Sequence, residues 1–320
     1  MELLADIFLN YVVGINLFVH LLLFLLLSVA FYHSVLILKE YKQESSSAKQ
    51  YLLEKRSYLV ITIITVSLII KIFLLPFFTY SLDQLSEIIP GAMCAAGVIS
   101  SNIYGQPLIT LKIFIILITL LWLKLNSEDL KSKNFKYFRK KILFFLLLYL
   151  LIFIEITIEL LFFTNLTTTN PVLCCSALYS ISNNTTPIPF NLPISFIITL
   201  FYTLYILIIL ASIFKKRFML TLLSPLFIYI SYFSIVYFFS TYIYELPSHK
   251  CPYCLLQSEY YFIGYFIYSS LIIATYYSFS SFLFKTQEKA LKLTLFWYSL
   301  FIFFTSFHFL LYLILNRTFL

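Results

Sequence analysis

Residues 142–163 read ILFFLLLYLLIFIEITIELLFF, an apolar run whose only charged residues are Glu155 and Glu159. At about 1.5 Å per helical residue, a run of this length crosses roughly 30 Å of hydrocarbon. Seven further apolar runs occur along the chain. We place the eight runs near 8–36, 58–80, 108–123, 142–163, 194–214, 218–243, 260–284 and 293–315. The sequence therefore predicts a helical bundle with about eight membrane spans.

The composition of the chain agrees with a protein that is surrounded by lipid. Of its 320 residues, 61% are hydrophobic and 11% are charged, and the mean hydropathy is +0.94. These values lie outside the range of soluble globular domains. We therefore predict an all-α, polytopic bundle that forms one integral membrane domain over residues 1–320, with the lipid bilayer as its surroundings. The net charge of +8 is carried mostly by one set of loops and does not indicate a nucleic-acid partner.

Basic residues alternate between consecutive loops. The loops after the first, third, fifth and seventh runs are rich in Lys and Arg, whereas the loops 81–107, 164–193 and 244–259 contain only Lys250. Cytoplasmic loops of membrane proteins carry an excess of Lys and Arg. This pattern predicts that the three lysine-poor loops and both termini face outward from a cell inner or plasma membrane.

All five cysteines fall in the three outer loops. Cys94 lies in the first, Cys174 and Cys175 in the second, and Cys251 and Cys254 in the third. An outer compartment permits disulfides, whereas thiols that stay reduced are expected on the cytoplasmic side. The simplest interpretation is a structural membrane protein whose loops are joined by disulfides. An odd number of cysteines leaves one thiol over, and such a thiol is usually reactive or intermolecular.

The third outer loop contains the sequence HKCPYC, which places Cys251 and Cys254 three positions apart. Pro252 suits the first position of a helix. A helix that began there would put Cys251 at the positive end of its dipole, with His249 and Lys250 beside it. Each of these influences lowers the pKa of a thiol. We therefore expect Cys251 to be an attacking thiol and Cys254 to resolve the mixed disulfide that it forms.

A CxxC sequence at the outer start of a span, supplied by cysteines of another outer loop, resembles the arrangement in quinone-coupled membrane thiol oxidoreductases. These are enzymes of the disulfide bond formation protein B and vitamin K epoxide reductase type, which have a four-helix core. The resemblance implies that Cys251 and Cys254 face a quinone, and that Cys174 or Cys175 carries electrons from a periplasmic or extracellular thiol protein. A membrane thiol-disulfide oxidoreductase is the first hypothesis for the function.

A soft-metal site is the second hypothesis, and it rests on the neighbouring residues Met93 and Cys94. Thioether and thiolate sulfur atoms are soft ligands that favour monovalent copper. Such a copper-binding or copper-transport component would use Cys94 and Met93 together with Cys251 and Cys254.

Three of the five glycines, Gly91, Gly97 and Gly105, lie in or next to the segment that surrounds Cys94. In a chain with so little glycine, this clustering predicts close approach of backbone segments or a re-entrant segment.

A few ionisable residues lie inside the predicted spans, where they are costly unless they are paired, hydrated or neutralised. The group comprises Lys71, Glu155, Glu159 and His308. Counted from the cytoplasmic ends of their runs, Lys71 and Glu155 lie at nearly the same depth, so we expect them to meet. The group is interpreted either as a proton path or quinone-headgroup site, or as a buried ion pair that joins helices. His20 and His33 are interpreted as packing residues.

The alternation of basic loops makes a direct prediction about topology. In a cysteine-free variant, single reporter cysteines at Ser86, Asn184 and Ser248 are expected to react with an impermeant maleimide from outside, because they lie in lysine-poor loops. Reporters at Ser47 and Ser132 are expected to react only after permeabilisation. Labelling of Ser132 in intact cells would contradict the whole assignment.

Overall fold

The structure of the chain is a computed structural model, and it describes residues 7–8, 10–40, 48–132, 137–166, 171–173, 175–179, 188, 191–284 and 288–320. Within these ranges the regular secondary structure is helical and contains no strand. The predicted all-α class is therefore confirmed for the described part of the chain.

Eight helices in the described ranges are long and apolar enough to cross a membrane. They are α1 (Tyr11–Glu40), α2 (Ala48–Ser86), α3 (Gly105–Lys131), α4 (Phe138–Thr164), α5 (Ile194–Ile213), α6 (Arg217–Tyr244), α7 (Ile263–Leu283) and α8 (Glu288–Asn316). Each contains or closely matches one predicted run. Several helices extend past the apolar run, because a helix that leaves the hydrocarbon continues through charged residues such as those at 54–56.

The chain divides into two compact units. The first unit comprises residues 1–85 and 99–170 and includes α1 to α4; the second comprises 86–98 and 171–320 and includes α5 to α8. The organisation as one membrane domain stays a prediction, and the units are described separately below.

The core of the first unit combines apolar packing with buried polar contacts. Trp122 of α3 is 1% exposed and packs edge-on against Phe145 of α4, and its indole N–H donates to the carbonyl of Lys141. The Lys141 side chain is itself buried, with its Nζ 2.7 Å from Oδ2 of Asp129. Lys141 directly precedes the predicted run 142–163, in a loop that is rich in Lys and Arg, but the helix begins at Phe138 and carries Lys141 into the core. This ion pair ties α3 to α4.

Aromatic rings fill the core of the second unit. Phe227 of α6 stacks on Phe201 of α5 with ring centroids 5.3 Å apart, and it meets Tyr298 of α8 edge-on at 5.2 Å. Helices α6 and α7 approach each other through small side chains, since the Ser224 and Ser278 hydroxyls are 2.7 Å apart. Serines at such a contact allow close helix packing and satisfy their own hydroxyl groups in an apolar interior.

Segments from two of the lysine-poor loops meet within the second unit, at Pro90 and Val172. The backbone N–H of Val172 donates to the carbonyl of Pro90 at 2.9 Å. Gly91 has a φ of +82°, and a Cβ on this residue would lie 2.4 Å from the Val172 carbonyl oxygen. The predicted close backbone approach at this glycine is confirmed. Because the hydrocarbon layer is about 30 Å thick, segments in contact here belong to the same membrane face.

Replacement of Gly91 tests this contact. We expect Gly91→Ala to lower the free energy of unfolding by about 2 kcal/mol or more, because the new Cβ meets a carbonyl oxygen and the residue must hold a positive φ. Gly14→Ala is the control, since the nearest atom to its added Cβ is 3.6 Å away and the residue is inside α1. The comparison uses reversible unfolding in mixed micelles. Equal effects of the two substitutions would contradict the close contact.

Candidate functional site

Three cysteines from two of the lysine-poor loops come together in the second unit. The sulfur atoms of Cys94, Cys251 and Cys254 all lie within 4.8 Å of one another, and those of Cys94 and Cys251 are 3.6 Å apart. The three residues are 0%, 0% and 4% exposed, respectively. A 3.6 Å separation is a contact between sulfur atoms, and it is longer than the roughly 2.05 Å of a disulfide bond. This contact agrees with the expectation that the two loops lie on one membrane face; the membrane side of the loops stays a prediction.

The local fold of the third outer loop positions two of these thiols. After Pro252 the chain forms short 3₁₀ turns at Cys254–Leu256 and Ser258–Tyr260 before α7 begins. Gly264 in the first turn of α7 lies against Leu255, so closely that a Cβ would be 2.9 Å from the Leu255 carbonyl oxygen. This packing fixes the turn that carries Cys254 against the start of α7.

Two tyrosines hold the backbone next to Cys251. The Tyr244 hydroxyl, at the end of α6, donates to the carbonyl of Cys251. The Tyr268 hydroxyl, on α7, donates to the carbonyl of Pro252 at 2.7 Å. Both flanking helices therefore determine the loop conformation. Burial raises the pKa of the Tyr253 phenol, and the adjacent Tyr232 and Cys251 groups raise it further, so this hydroxyl stays a neutral hydrogen-bonding group beside the thiols.

The expected helix start at Pro252 is wrong. Helix α7 begins at Ile263, after two residues in the left-handed region, Tyr261 and Phe262. Cys251 is therefore in a coil segment and is buried, so the argument that placed it at the positive end of a helix dipole does not apply. The carbonyl groups of Cys251 and Pro252 accept hydrogen bonds from tyrosine hydroxyls, which hold this segment in its non-helical conformation.

The residues that precede the CxxC sequence are only partly buried. The His249 ring packs edge-on against Tyr244 with centroids 4.6 Å apart, and its Nε2 has no hydrogen-bond partner among the described residues. Partial burial lowers the pKa of Lys250.

Of the remaining predicted sulfur residues, Met93 is the one whose side chain is described. Met93 is 67% exposed, in contrast to the buried thiols, so the thioether proposed as a copper ligand is not part of the buried group. Cys174 lies outside the described residues, and of Cys175 only the backbone, at the start of the turn Cys175–Leu178, is described.

A second cluster, in the first unit, consists of buried polar and ionisable residues from four helices. It contains Asn16 and His20 of α1, Lys71 of α2, Lys112 of α3, and Glu155 and Glu159 of α4, none of which is more than 5% exposed. We call the five ionisable members the charged ring. The sequence interpretation that Lys71 and Glu155 meet is confirmed, because Nζ of Lys71 is 2.7 Å from Oε2 of Glu155.

Each contact of the charged ring joins different helices. Nζ of Lys112 lies 3.0 Å from Oε1 of Glu155 and 2.9 Å from Oε2 of Glu159. His20 contacts Glu159 through Nδ1 and lies 2.9 Å from Nζ of Lys71 through Nε2. The contacts run from Glu159 through His20, Lys71, Glu155 and Lys112 back to Glu159. Opposite charges buried together in this way avoid the cost of an unpaired charge in an apolar interior.

In the state in which Lys71 is an ammonium group, the geometry of the charged ring assigns the tautomer of His20. A lysine ammonium group only donates hydrogen bonds, so Nε2 of His20 accepts from Lys71. Nδ1 faces a carboxylate and therefore carries the proton. Two ammonium groups then balance two carboxylates around a neutral imidazole. The two lysines already form ion pairs with the carboxylates that a metal ion would need as ligands. This arrangement therefore does not favour a cation site near His20, Glu155 and Glu159.

Sequence analysis missed Lys112 and interpreted His20 as a packing residue. Lys112 lies inside the third predicted run, where its charge was a visible signal. His308, which was grouped with Lys71 and the two glutamates, is on α8 in the second unit and is half-buried.

The fold and these two clusters define a multi-pass α-helical membrane protein with buried thiols and buried charges. Comparisons of the chain with protein-family models, with curated proteins and with solved structures find no match. The function must therefore be argued from the residues themselves.

A double-mutant cycle tests the charged ring. Lys71→Met alone is expected to cost about 3 kcal/mol or more of unfolding free energy, because it leaves an excess buried negative charge. With Glu155→Gln in addition, the loss is expected to be about 2 kcal/mol smaller than the sum of the two single effects.

The control for this cycle is the pair Lys124 and Glu128, which are four residues apart on α3 and partly exposed. Their coupling is expected to be only about 0.3–0.5 kcal/mol. Unfolding in mixed micelles measures both cycles. Additive effects of Lys71→Met and Glu155→Gln would mean that the two side chains do not meet.

Proposed function

We propose that the protein is a membrane thiol-disulfide oxidoreductase whose redox centre is formed by Cys94, Cys251 and Cys254. The observation that supports this proposal most is the burial of three sulfur atoms within 4.8 Å of one another. Bringing Cys94 and Cys251 from 3.6 Å to disulfide length takes a movement of about 1.5 Å.

Cys251 has the central role in the proposed reaction. It lies three positions before Cys254 in the CxxC sequence, and its sulfur atom contacts that of Cys94. A thiolate on Cys94 attacks Sγ of Cys251 in a Cys251–Cys254 disulfide. An S–S bond then forms between Cys94 and Cys251, the Cys251–Cys254 bond breaks, and Cys254 leaves as a thiolate. This exchange neither consumes nor releases electrons.

Net oxidation requires a two-electron acceptor. Two thiols form one disulfide and release two protons and two electrons, and a lipid-soluble quinone that takes up both becomes a hydroquinone. The loops that carry the thiols adjoin membrane helices, which is where such an acceptor would be dissolved. Because the three thiols are buried, exchange with a soluble thiol protein needs a shuttle thiol, and we assign this role to Cys174 and Cys175, as the sequence predicts.

A soft-metal site is the second candidate function, and the mutual approach of three buried sulfur atoms favours it independently. Three thiolates that bind one ion at about 2.3 Å in a trigonal plane lie about 4.0 Å from each other. The observed separations, from 3.6 Å for Cys94 and Cys251 up to the common limit of 4.8 Å, are compatible with that spacing. Monovalent copper accepts such an all-thiolate set.

One anaerobic sample separates the two candidates. Reduced, metal-free, full-length protein in micelles is mixed with a short-chain ubiquinone analogue. We expect one hydroquinone for every two thiols lost, and a disulfide that includes Cys251 in non-reducing peptide mass mapping. Cys251→Ser is expected to slow the reaction at least tenfold, whereas Ser248→Ala, an exposed substitution in the same loop, is expected to leave it unchanged.

Two other outcomes would contradict the redox assignment. If the thiols persist in excess quinone and the protein retains one equivalent of monovalent copper against a chromophoric chelator, the redox assignment is wrong and the metal site is favoured. If the thiols persist and copper is not retained, both assignments are wrong and the cysteines serve structure alone.

A further inference from the structure

The charged ring contains one proton whose position is not determined by its neighbours. Nζ of Lys71 and Nε2 of His20 are 2.9 Å apart, and only one of the two nitrogen atoms can carry the proton between them. With the proton on Lys71, the pair is ammonium and imidazole. With the proton on His20, the pair is amine and imidazolium.

A carboxylate is positioned to stabilise the cation in each of these two states. Glu155 lies 2.7 Å from Nζ of Lys71 and stabilises the ammonium, while Glu159 faces Nδ1 of His20 and stabilises the imidazolium. Transfer breaks an N–H bond at Nζ and forms one at Nε2, so the net charge of the ring is unchanged. A ring that served only to join helices would need the first state alone.

The surroundings of the ring also provide space and hydrogen-bonding capacity for water. A cavity of about 10 Å³ is lined by Lys71, Lys112 and Glu155 together with apolar side chains. This is about the space that one water molecule requires. The side-chain oxygen Oδ1 of Asn16 is buried and has no hydrogen-bond partner among the described residues, although its Nδ2 binds Glu159 at 3.0 Å. Buried unsatisfied acceptors of this kind usually indicate an ordered donor such as water.

All the groups that face the shared proton are inside apolar helices. They are His20 of α1, Lys71 of α2, Lys112 of α3, and Glu155 and Glu159 of α4. Counted from the helix ends nearest to the lysine-poor loops, Lys112 is about 10 Å and Glu155 about 14 Å deep at 1.5 Å per residue. The shared proton thus lies within the hydrocarbon layer and not at its surface.

We propose that the charged ring is a proton-transfer site through which the first unit passes protons across the membrane, with Lys71 and His20 as the exchanging pair. The ligand is the proton itself. This proposal does not depend on the cysteine cluster, because every residue that it uses belongs to the first unit.

Arginine separates proton transfer from a purely structural role. A guanidinium keeps its positive charge and its ability to pair with Glu155, but it does not release a proton under physiological conditions. Lys71→Arg therefore preserves the charge balance of the ring and removes the exchange. Lys141→Arg is the matched control, because Lys141 is also a buried, ion-paired lysine of the first unit but lies outside the ring.

The experiment uses full-length protein in lipid vesicles that contain a trapped pH-sensitive dye. A potassium gradient with valinomycin imposes a membrane potential, and the change of internal pH is recorded without quinone or thiol reagents. We expect wild-type and Lys141→Arg vesicles to acidify at least tenfold faster than protein-free vesicles, and Lys71→Arg to lose this difference.

A second pair of variants keeps the test decisive if Lys71→Arg does not fold. His20→Gln is expected to abolish the flux, whereas His33→Gln on the same helix, which alters a residue outside the ring, is expected to retain it. The absence of flux from wild-type vesicles would overturn the proposal. Full flux in folded Lys71→Arg, or equal flux in the two histidine variants, would also overturn it and leave the ring as a helix clamp.

Discussion

The hydrocarbon layer offers no partner for a charge, and the arrangement of the first unit follows from this constraint. Glu155 and Glu159 lie one turn apart on α4, inside the apolar run 142–163. A carboxylate in that position is tolerated only with a cation beside it. Lys71, Lys112 and His20 supply the positive charge and the hydrogen bonds, and they come from three different helices. The two glutamates thereby bring four helices together at one point.

The second unit instead buries thiols and polar backbone groups at the membrane boundary. Aromatic rings and small hydroxyl side chains fill its core, and tyrosine hydroxyls satisfy the carbonyl groups of the loop that carries Cys251. A loop fixed in this way keeps thiols from two segments in contact without a covalent bond between them. Such an arrangement is suited to chemistry in which sulfur atoms exchange partners, or to a metal that they share.

Much of the fold could be predicted from sequence because its signals are long and redundant. Eight apolar runs predicted the eight long helices. The similar depth of Lys71 and Glu155 within their runs predicted that the two side chains are in contact. Charge balance would also have revealed Lys112, since one lysine cannot neutralise two buried glutamates. The start of α7 could not be predicted in this way. Pro252 favours a helix locally, but the segment around it is held by hydrogen bonds from Tyr244 and Tyr268. Such contacts depend on the packing of α6 and α7 and are not visible in the local sequence.

The central claim is that Cys251 exchanges a disulfide with its two neighbouring sulfur atoms. High-resolution cryo-electron microscopy of the full-length protein in lipid nanodiscs, prepared once oxidised and once reduced, tests it most directly. The account predicts that Sγ of Cys251 lies about 2.05 Å from Sγ of Cys94 or Cys254 in the oxidised protein and beyond about 3.5 Å from both in the reduced protein. Unchanged sulfur positions in the two preparations, with a density peak about 2.3 Å from all three atoms, would contradict the account and identify a bound metal ion.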